Sequence, residues 1–256
     1  MLTVPVPENV LAGFIAYLFD KGYATSTIVS TVSAISFVHK LLNMNDTADS
    51  FVVKKMLQGC KKLRISVDCR LPMTTSILGD LIKVSTNTIG STFTSTCFKA
   101  MCSLAFFALL RIGEMTDSEN NLSIKNVQCH EKELHIQFTN FKHSDGFPSR
   151  HTIKAQPASS ICPVRNVKNY MKLRGSRPGP LFLSTSGQAV QQQQFNSQLK
   201  VALEFAGYSS ERYKSHSFRI GGASFMASQG ASDNQIRLAG RWKSNAFLAY
   251  IRIHQY

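Results

Sequence analysis

Apolar residues recur every three to four positions through the first third of the chain, and this spacing predicts helices. In VLAGFIAYLF at 10–19, behind Pro7 and Asn9, Leu11, Phe14, Ile15 and Leu18 recur at helical spacing. TSTIVSTVSAISFVHKLL at 25–42 is rich in β-branched residues, yet Ile28, Val32, Ile35 and Leu42 keep a period near 3.6 and leave Ser and Thr outward. Asp49 or Ser50 can cap a third helix at 51–63, with Val52, Met56 and Leu63 inward and a row of lysines outward. Pro72 breaks the pattern in ISVDCRLPMTTS at 65–76, which reads as a linker, and Thr74, Thr75 or Ser76 can cap the next helix.

Beyond the linker the pattern predicts a helix at 77–84, a Ser/Thr-rich turn, and a long helix from about 92 to 110 with Arg111 at its end. The period then shortens to two. ELHIQF at 133–138 and HTIKA at 151–155 alternate polar and apolar residues around HSDGFPSR, which is hairpin chemistry. Helical spacing returns at 164–174, PLFLS at 180–184 is extended, and QQQQ at 191–194 opens a further helix. Gly230 stops one late helix and Ser232 or Asp233 starts another. The expected fold is mainly α with a small antiparallel β-sheet, in two domains: a helical one at 1–72 and a larger one at 73–256.

Charge changes this picture more than composition does. The chain of 256 residues carries 29 Lys+Arg against 15 Asp+Glu, a net charge of +14. Residues 1–72 hold eight basic and five acidic residues, so 21 and 10 fall in the remainder, where the surplus is concentrated. Such an imbalance suits a polyanionic partner. The longest apolar stretch, AMCSLAFFALL at 100–110, is too short to span a bilayer, and MLTVPVPEN has no secretory pattern. Six cysteines without a CxxC pair read as reduced thiols of a nuclear or cytoplasmic protein. His130, His135, His143 and His151 lie in the strand-rich region without a partner cysteine pair, so they read as hairpin or surface histidines and no metal is expected.

The candidate chemistry lies in HSFRIGG at 216–222 and GRWKSNAFLAYIR at 240–252. His216 and Arg219 are three apart and share a helix face. Trp242 and Tyr250 follow. Arg111 in LLRIGEM and Lys142 in FKHSD complete a set of Arg, Lys, His-x-x-Arg, Trp and Tyr. Metal-free cleavage of a phosphodiester needs a nucleophile, neutralisation of charge at the phosphorane, and a proton for the leaving oxygen. A tyrosine can supply the first, because its ester conserves the bond energy for resealing. Arginine suits the second, because its planar fork never deprotonates.

This set resembles the catalytic domain of the tyrosine recombinases, the phage-integrase family, and most of all its eukaryotic transposon-borne branch, where Trp replaces the second His. The resemblance covers about 74–256, and the preceding block looks like the family's helical core-binding (SAM-like) domain. It implies a site-specific recombinase of a mobile element, working without a cofactor and as a tetrameric synapse on DNA held by a basic two-lobed clamp. It implies that Tyr250 attacks the phosphate and that Arg111 and Arg219 bind its non-bridging oxygens. Lys142, or Lys154 on the returning strand, protonates the 5′ oxygen. His216 takes the tyrosine proton or holds the phosphate, Trp242 donates its indole N–H, and Glu114 orients Arg111 or a neighbouring histidine. Arg241 is the alternative to Trp242 if spacing is counted from Gly240. Tyr208, Tyr213 and Tyr256 lack the placement of Tyr250. Two rival readings are a domesticated, non-catalytic DNA-binding protein and a type IB topoisomerase-like enzyme.

Overall fold

The structure is a computed structural model that describes residues 4–64, 68–139, 141, 146–156 and 159–252. Its contacts divide the chain into two compact units, Met1–Asp68 and Cys69–Tyr256. The second unit takes up the end of the linker, because the Leu71 and Met73 amides donate to the Arg212 and Ser217 carbonyls, both at 2.9 Å.

In the first unit, α1 (Glu8–Asp20), α2 (Thr25–Leu41) and α3 (Phe51–Leu63) pack around Leu11, Ile15, Ile28, Val32, Val53 and Cys60. The sequence reading erred on the phase of α3, where Val53 and Cys60 are buried while Val52 and Leu63 are exposed. Ser50 starts this helix by accepting the Val53 amide at its N-cap, and Val53 and Cys60 face Leu11, Ile15 and Ile28. At the end of α2 the inward position belongs to His39 and not Leu42: its Nε2 accepts the Val6 amide at 3.0 Å. Asp46 braces the same corner. Burial pushes its carboxyl up, but the Ser36 hydroxyl, Lys40 and the Ala48 amide outweigh this and hold it at about 2.

The second unit is built on α5 (Thr92–Phe107), which packs against α4 (Thr75–Thr88), α7 (Pro163–Arg174) and α9 (Ser215–Ser228). Phe98, Phe106, Tyr170, Phe195 and Phe218 are fully buried there, each large apolar side chain contributing roughly 1.5–3 kcal/mol. Thr74 caps α4 and Ser91 caps α5. Thus α4 runs four residues beyond the predicted 84, and α5 ends three residues before the predicted 110. The cause at 110 is Leu109, whose φ of 50° breaks the helix. Arg111 is therefore the N-cap of a separate short helix, α6 (Ile112–Met115), and not the end of α5.

A three-stranded antiparallel sheet follows, β1 (Val127–Cys129), β2 (Glu133–Phe138) and β3 (Ser149–Lys154), in the order β1-β2-β3. The register pairs Leu134 with Ile153 and Ile136 with His151, so Leu134, Ile136 and Phe138 face the core. The fold is thus mainly helical with a small antiparallel sheet. The remaining elements are α8 (Gln192–Phe205), α10 (Asp233–Ala239), capped by Ser232, and a 3-10 turn at Asn245–Tyr250.

Candidate active site

The site forms where three chain breaks meet: the left-handed turn at Leu109, the start of α9, and the segment after α10. Close backbone approach makes this possible. A Cβ on Gly221 would lie 1.9 Å from the Met73 carbonyl oxygen, and one on Gly222 2.2 Å from that of Phe106. Gly221 thus lets α9 lie against the backbone at Met73, and Gly222 lets it lie against α5.

On that face, one turn apart, stand His216 and Arg219. Arg219 is 1% exposed, and its two terminal nitrogens donate to the carbonyls of Leu109 and Gly240. Its guanidinium lies 4.0 Å from the centre of the Trp242 ring and 5.8 Å from that of Tyr250. The Tyr250 ring is 5.0 Å from Trp242 and 5.1 Å from His216. Four of the residues singled out in the sequence thus share one aromatic and cationic cluster. Arg219 sits inside it, against backbone carbonyls, and Arg111 has the more accessible side chain at 26%.

Glu114 organises the other half. Its carboxylate accepts the Arg111 amide at 2.7 Å and the Arg241 guanidinium at 2.7 Å, and lies 3.5 Å from the Arg111 guanidinium. Arg241, with φ of 55°, turns inward, where it also reaches the carbonyls of Ala108 and Leu109 at 3.4 and 3.5 Å and lies 3.8 Å over the Phe138 ring. The left-handed turn at 241 sends Arg241 to Glu114 and leaves Trp242 facing Tyr250. Among the described residues Glu114 is the one carboxylate that acts on both Arg219 and Arg241, so three guanidiniums share one negative charge. Burial pushes the Arg219 pKa down, and Arg111 and Arg241 push the same way against Glu114. Guanidinium remains charged in proteins, so this pressure marks an uncompensated positive site suited to an anion.

Lys142 and His143 lie outside the described residues. Lys154 is exposed at the end of β3, opposite Glu133. His135 pairs with Glu133 at 2.7 Å. His151, read as a hairpin histidine, is half-buried with its ring edge-on to Phe138. Burial, then Arg241 and Arg219, push its pKa down to about 4, so it stays neutral beside the arginines. Sequence reasoning missed this setting of His151 because Arg219 and Arg241 lie 68 and 90 residues away and no local spacing announces them.

Gly240 has a role that its backbone angles do not explain, since φ is −85°. A Cβ there would fall 1.6 Å from Trp242 Cζ3 and 1.9 Å from Cε3, so the indole lies directly on the glycine. Gly240→Ala should expel the ring from between residue 240 and Arg219. Trp242 is the only tryptophan, so its fluorescence reports the change directly. A red shift of emission is expected, and an unmoved spectrum would refute the packing.

The phage integrase family model matches residues 79–253. No curated protein sequence matches the chain. Among solved structures, the chain is similar to the Tn1549 transposon integrase in complex with circular intermediate DNA, at 13% identity and TM-score 0.65 over 97% of this chain and 81% of that one. It is similar to the XerH site-specific recombinase bound to difH substrate, at 16% identity and TM-score 0.65 over 98% and 69%. A lambda integrase dimer bound to a COC′ core site is also similar, at 14% identity and TM-score 0.63 over 98% and 65%. At these identities the likeness is one of fold. No helix of the described residues is long and apolar enough to cross a membrane.

Proposed function

Because this chain belongs to the phage integrase family, the tyrosine recombinases, we propose that it cuts and rejoins double-stranded DNA through Tyr250. The observation that carries this reading is the cluster itself: one tyrosine ring set between His216 and Trp242, beside three guanidiniums that share a single carboxylate. A nucleophile and a surplus of fixed positive charge are what phosphoryl transfer without a metal requires.

In the proposed reaction the Tyr250 oxygen forms a bond to phosphorus while the bond to the 5′ oxygen breaks. The products are a 3′-phosphotyrosyl ester and a 5′ hydroxyl. His216, whose ring is 5.1 Å from that of Tyr250, receives the tyrosine proton and can then hydrogen-bond the phosphate. Arg111 supplies the accessible guanidinium for the non-bridging oxygens, and buried Arg219 and Arg241 add fixed charge behind it. Because negative charge grows at the phosphorane, these groups favour the transition state over the ground state. Trp242 can donate one N–H but cannot relay a proton. The leaving oxygen takes its proton from Lys142 or from Lys154 on the returning strand. Attack by another strand's 5′ hydroxyl reverses the step, and no nucleotide is consumed because the ester keeps the bond energy.

The helical first unit, with its lysine-bearing α3, serves in this proposal as the core-binding domain that grips the DNA backbone, and the second unit as the catalytic domain. The DNA is that of a mobile element, and the working form is a multimer assembled on it. The similar Tn1549 protein is a transposon integrase in complex with circular intermediate DNA, and the similar lambda integrase is a dimer bound to a COC′ core site. The test uses a nicked suicide substrate carrying the element's terminal sequence. Trapped protein–DNA adduct, with the link at the 3′ phosphate, is the expected result. DNA binding without adduct on any candidate end would overturn the reading in favour of a non-catalytic binding protein. Relaxation of supercoils by a monomer without site preference would overturn it in favour of a topoisomerase.

A further inference from the structure

Two turns beyond His216 on the same face of α9 stands Ser224, a fully buried hydroxyl that the proposed chemistry does not use. A serine within a helix ordinarily bonds back to the carbonyl four residues earlier, and Ser224 lies 2.9 Å from that of Ile220. It does more than that. Its Oγ is 3.1 Å from the Tyr250 carbonyl oxygen and accepts the Arg252 amide at 2.9 Å. The hydroxyl has one proton for two carbonyls and a lone pair for the amide, so the bond to Arg252 coexists with either donation.

The place where these bonds fall matters. The 3-10 turn ends at Tyr250 and Ile251 is extended, so the Tyr250 carbonyl has left the helical ladder and needs an outside donor. Ser224 supplies it and holds the chain again two residues later. Ile251 between them packs against the small cluster of Leu109, Ala223, Ile236 and Phe247. The Arg252 guanidinium ties the same segment to the Arg70 carbonyl. One helix therefore carries both the histidine beside the Tyr250 ring and the hydroxyl that grips the Tyr250 backbone.

We propose that Ser224 is a positioning residue that fixes where the Tyr250 hydroxyl is presented to the scissile phosphate; this rests on Tyr250 being the nucleophile. The side chain touches no reacting atom. It acts by coupling the register of residues 250–252 to that of α9, so that His216 and Tyr250 move as one body.

The experiment compares wild type, Ser224→Ala and Ser224→Thr on the nicked suicide substrate in single turnover, with DNA affinity measured in parallel. The alanine variant should form adduct ten- to a hundredfold more slowly while binding DNA within twofold of wild type, and threonine, which keeps the hydroxyl, should recover most of the rate. A merely structural role would lower affinity and adduct together. An alanine variant that forms adduct within twofold of the wild-type rate overturns the proposal. Hydrogen exchange on the wild-type protein tests it without any variant: the Arg252 amide should be protected at least tenfold over a free amide, and an unprotected amide overturns the clamp. Failure of the recombinase reading is distinct, since wild type itself would then give no adduct.

Discussion

Tyr250→Phe should abolish covalent attachment to DNA, by on the order of a thousandfold or more, while leaving affinity for the same DNA within about twofold. The substitution removes one oxygen and keeps the ring. Packing against Trp242 at 5.0 Å and His216 at 5.1 Å survives, and so do the backbone contacts to Ser224. The charge of Arg111, Arg219 and Arg241, which in this proposal faces the phosphate, is untouched, so the DNA should still be held. What disappears is the atom that forms the ester. Tyr208 and Tyr213 serve as controls. The Tyr208 hydroxyl donates to Asp80 at 2.7 Å, and that hydrogen bond, then burial, pushes its pKa up to about 12. Its ring pairs with Tyr213 at 6.0 Å, apart from the cluster around Tyr250. Phenylalanine at either position should leave adduct formation within a few-fold of wild type. Denaturing gel analysis of radiolabelled suicide substrate decides this. Undiminished adduct with Tyr250→Phe would assign the nucleophile elsewhere.

Local signals in the sequence carried most of the fold. Helix spacing, the caps at Ser50, Thr74 and Ser232, and the alternation in Glu133–Phe138 all depend on neighbours a few residues away. The errors arose where a distant contact overrides the local pattern. Val53 takes the inward place of Val52 because Val53 and Cys60 lie on the side of α3 that packs against Leu11, Ile15 and Ile28 of the other two helices. His39 displaces Leu42 because the Val6 amide and Asp46 reach it across the unit. Leu109 breaks a pattern that reads as continuous helix because its carbonyl is aimed at Arg219 and Arg241, more than a hundred residues away. For the same reason half the site was legible and half was not. His216 and Arg219 sit three apart on one helix, and Trp242 and Tyr250 follow closely in the chain. The joint roles of Arg241, Gly240, His151 and Ser224 depend on which carbonyl, ring or carboxylate they meet in space. The triplet Gly-Arg-Trp did not announce the inward turn, since Arg241 at φ 55° and not Gly240 at φ −85° takes the left-handed conformation.

Glu114→Gln should produce the other large effect, on stability as well as on catalysis. Glutamine keeps an oxygen that can accept the Arg111 amide, so the cap of α6 persists and the change isolates the charge. Arg241, 1% exposed at its side chain, then loses its ion-pair partner and stands with Arg219 and Arg111 as three unpaired cations. Breaking a buried pair by removing one member costs about 3–5 kcal/mol. For a unit of this size that corresponds to a fall in Tm of roughly 6–20 °C. Two further observations separate electrostatics from lost packing. Inorganic phosphate or sulfate should raise the Tm of the variant more than that of wild type, because an anion can replace the missing charge. Arg241→Met, made on top of Glu114→Gln, should recover part of the loss, because an apolar side chain of similar length removes the stranded cation. Adduct formation need not follow. If Arg111 owes its position to Glu114, cleavage by the double variant stays low although the fold is restored, and the two functions of the carboxylate come apart. A double variant that regains both stability and wild-type cleavage would show that Glu114 serves only to neutralise Arg241.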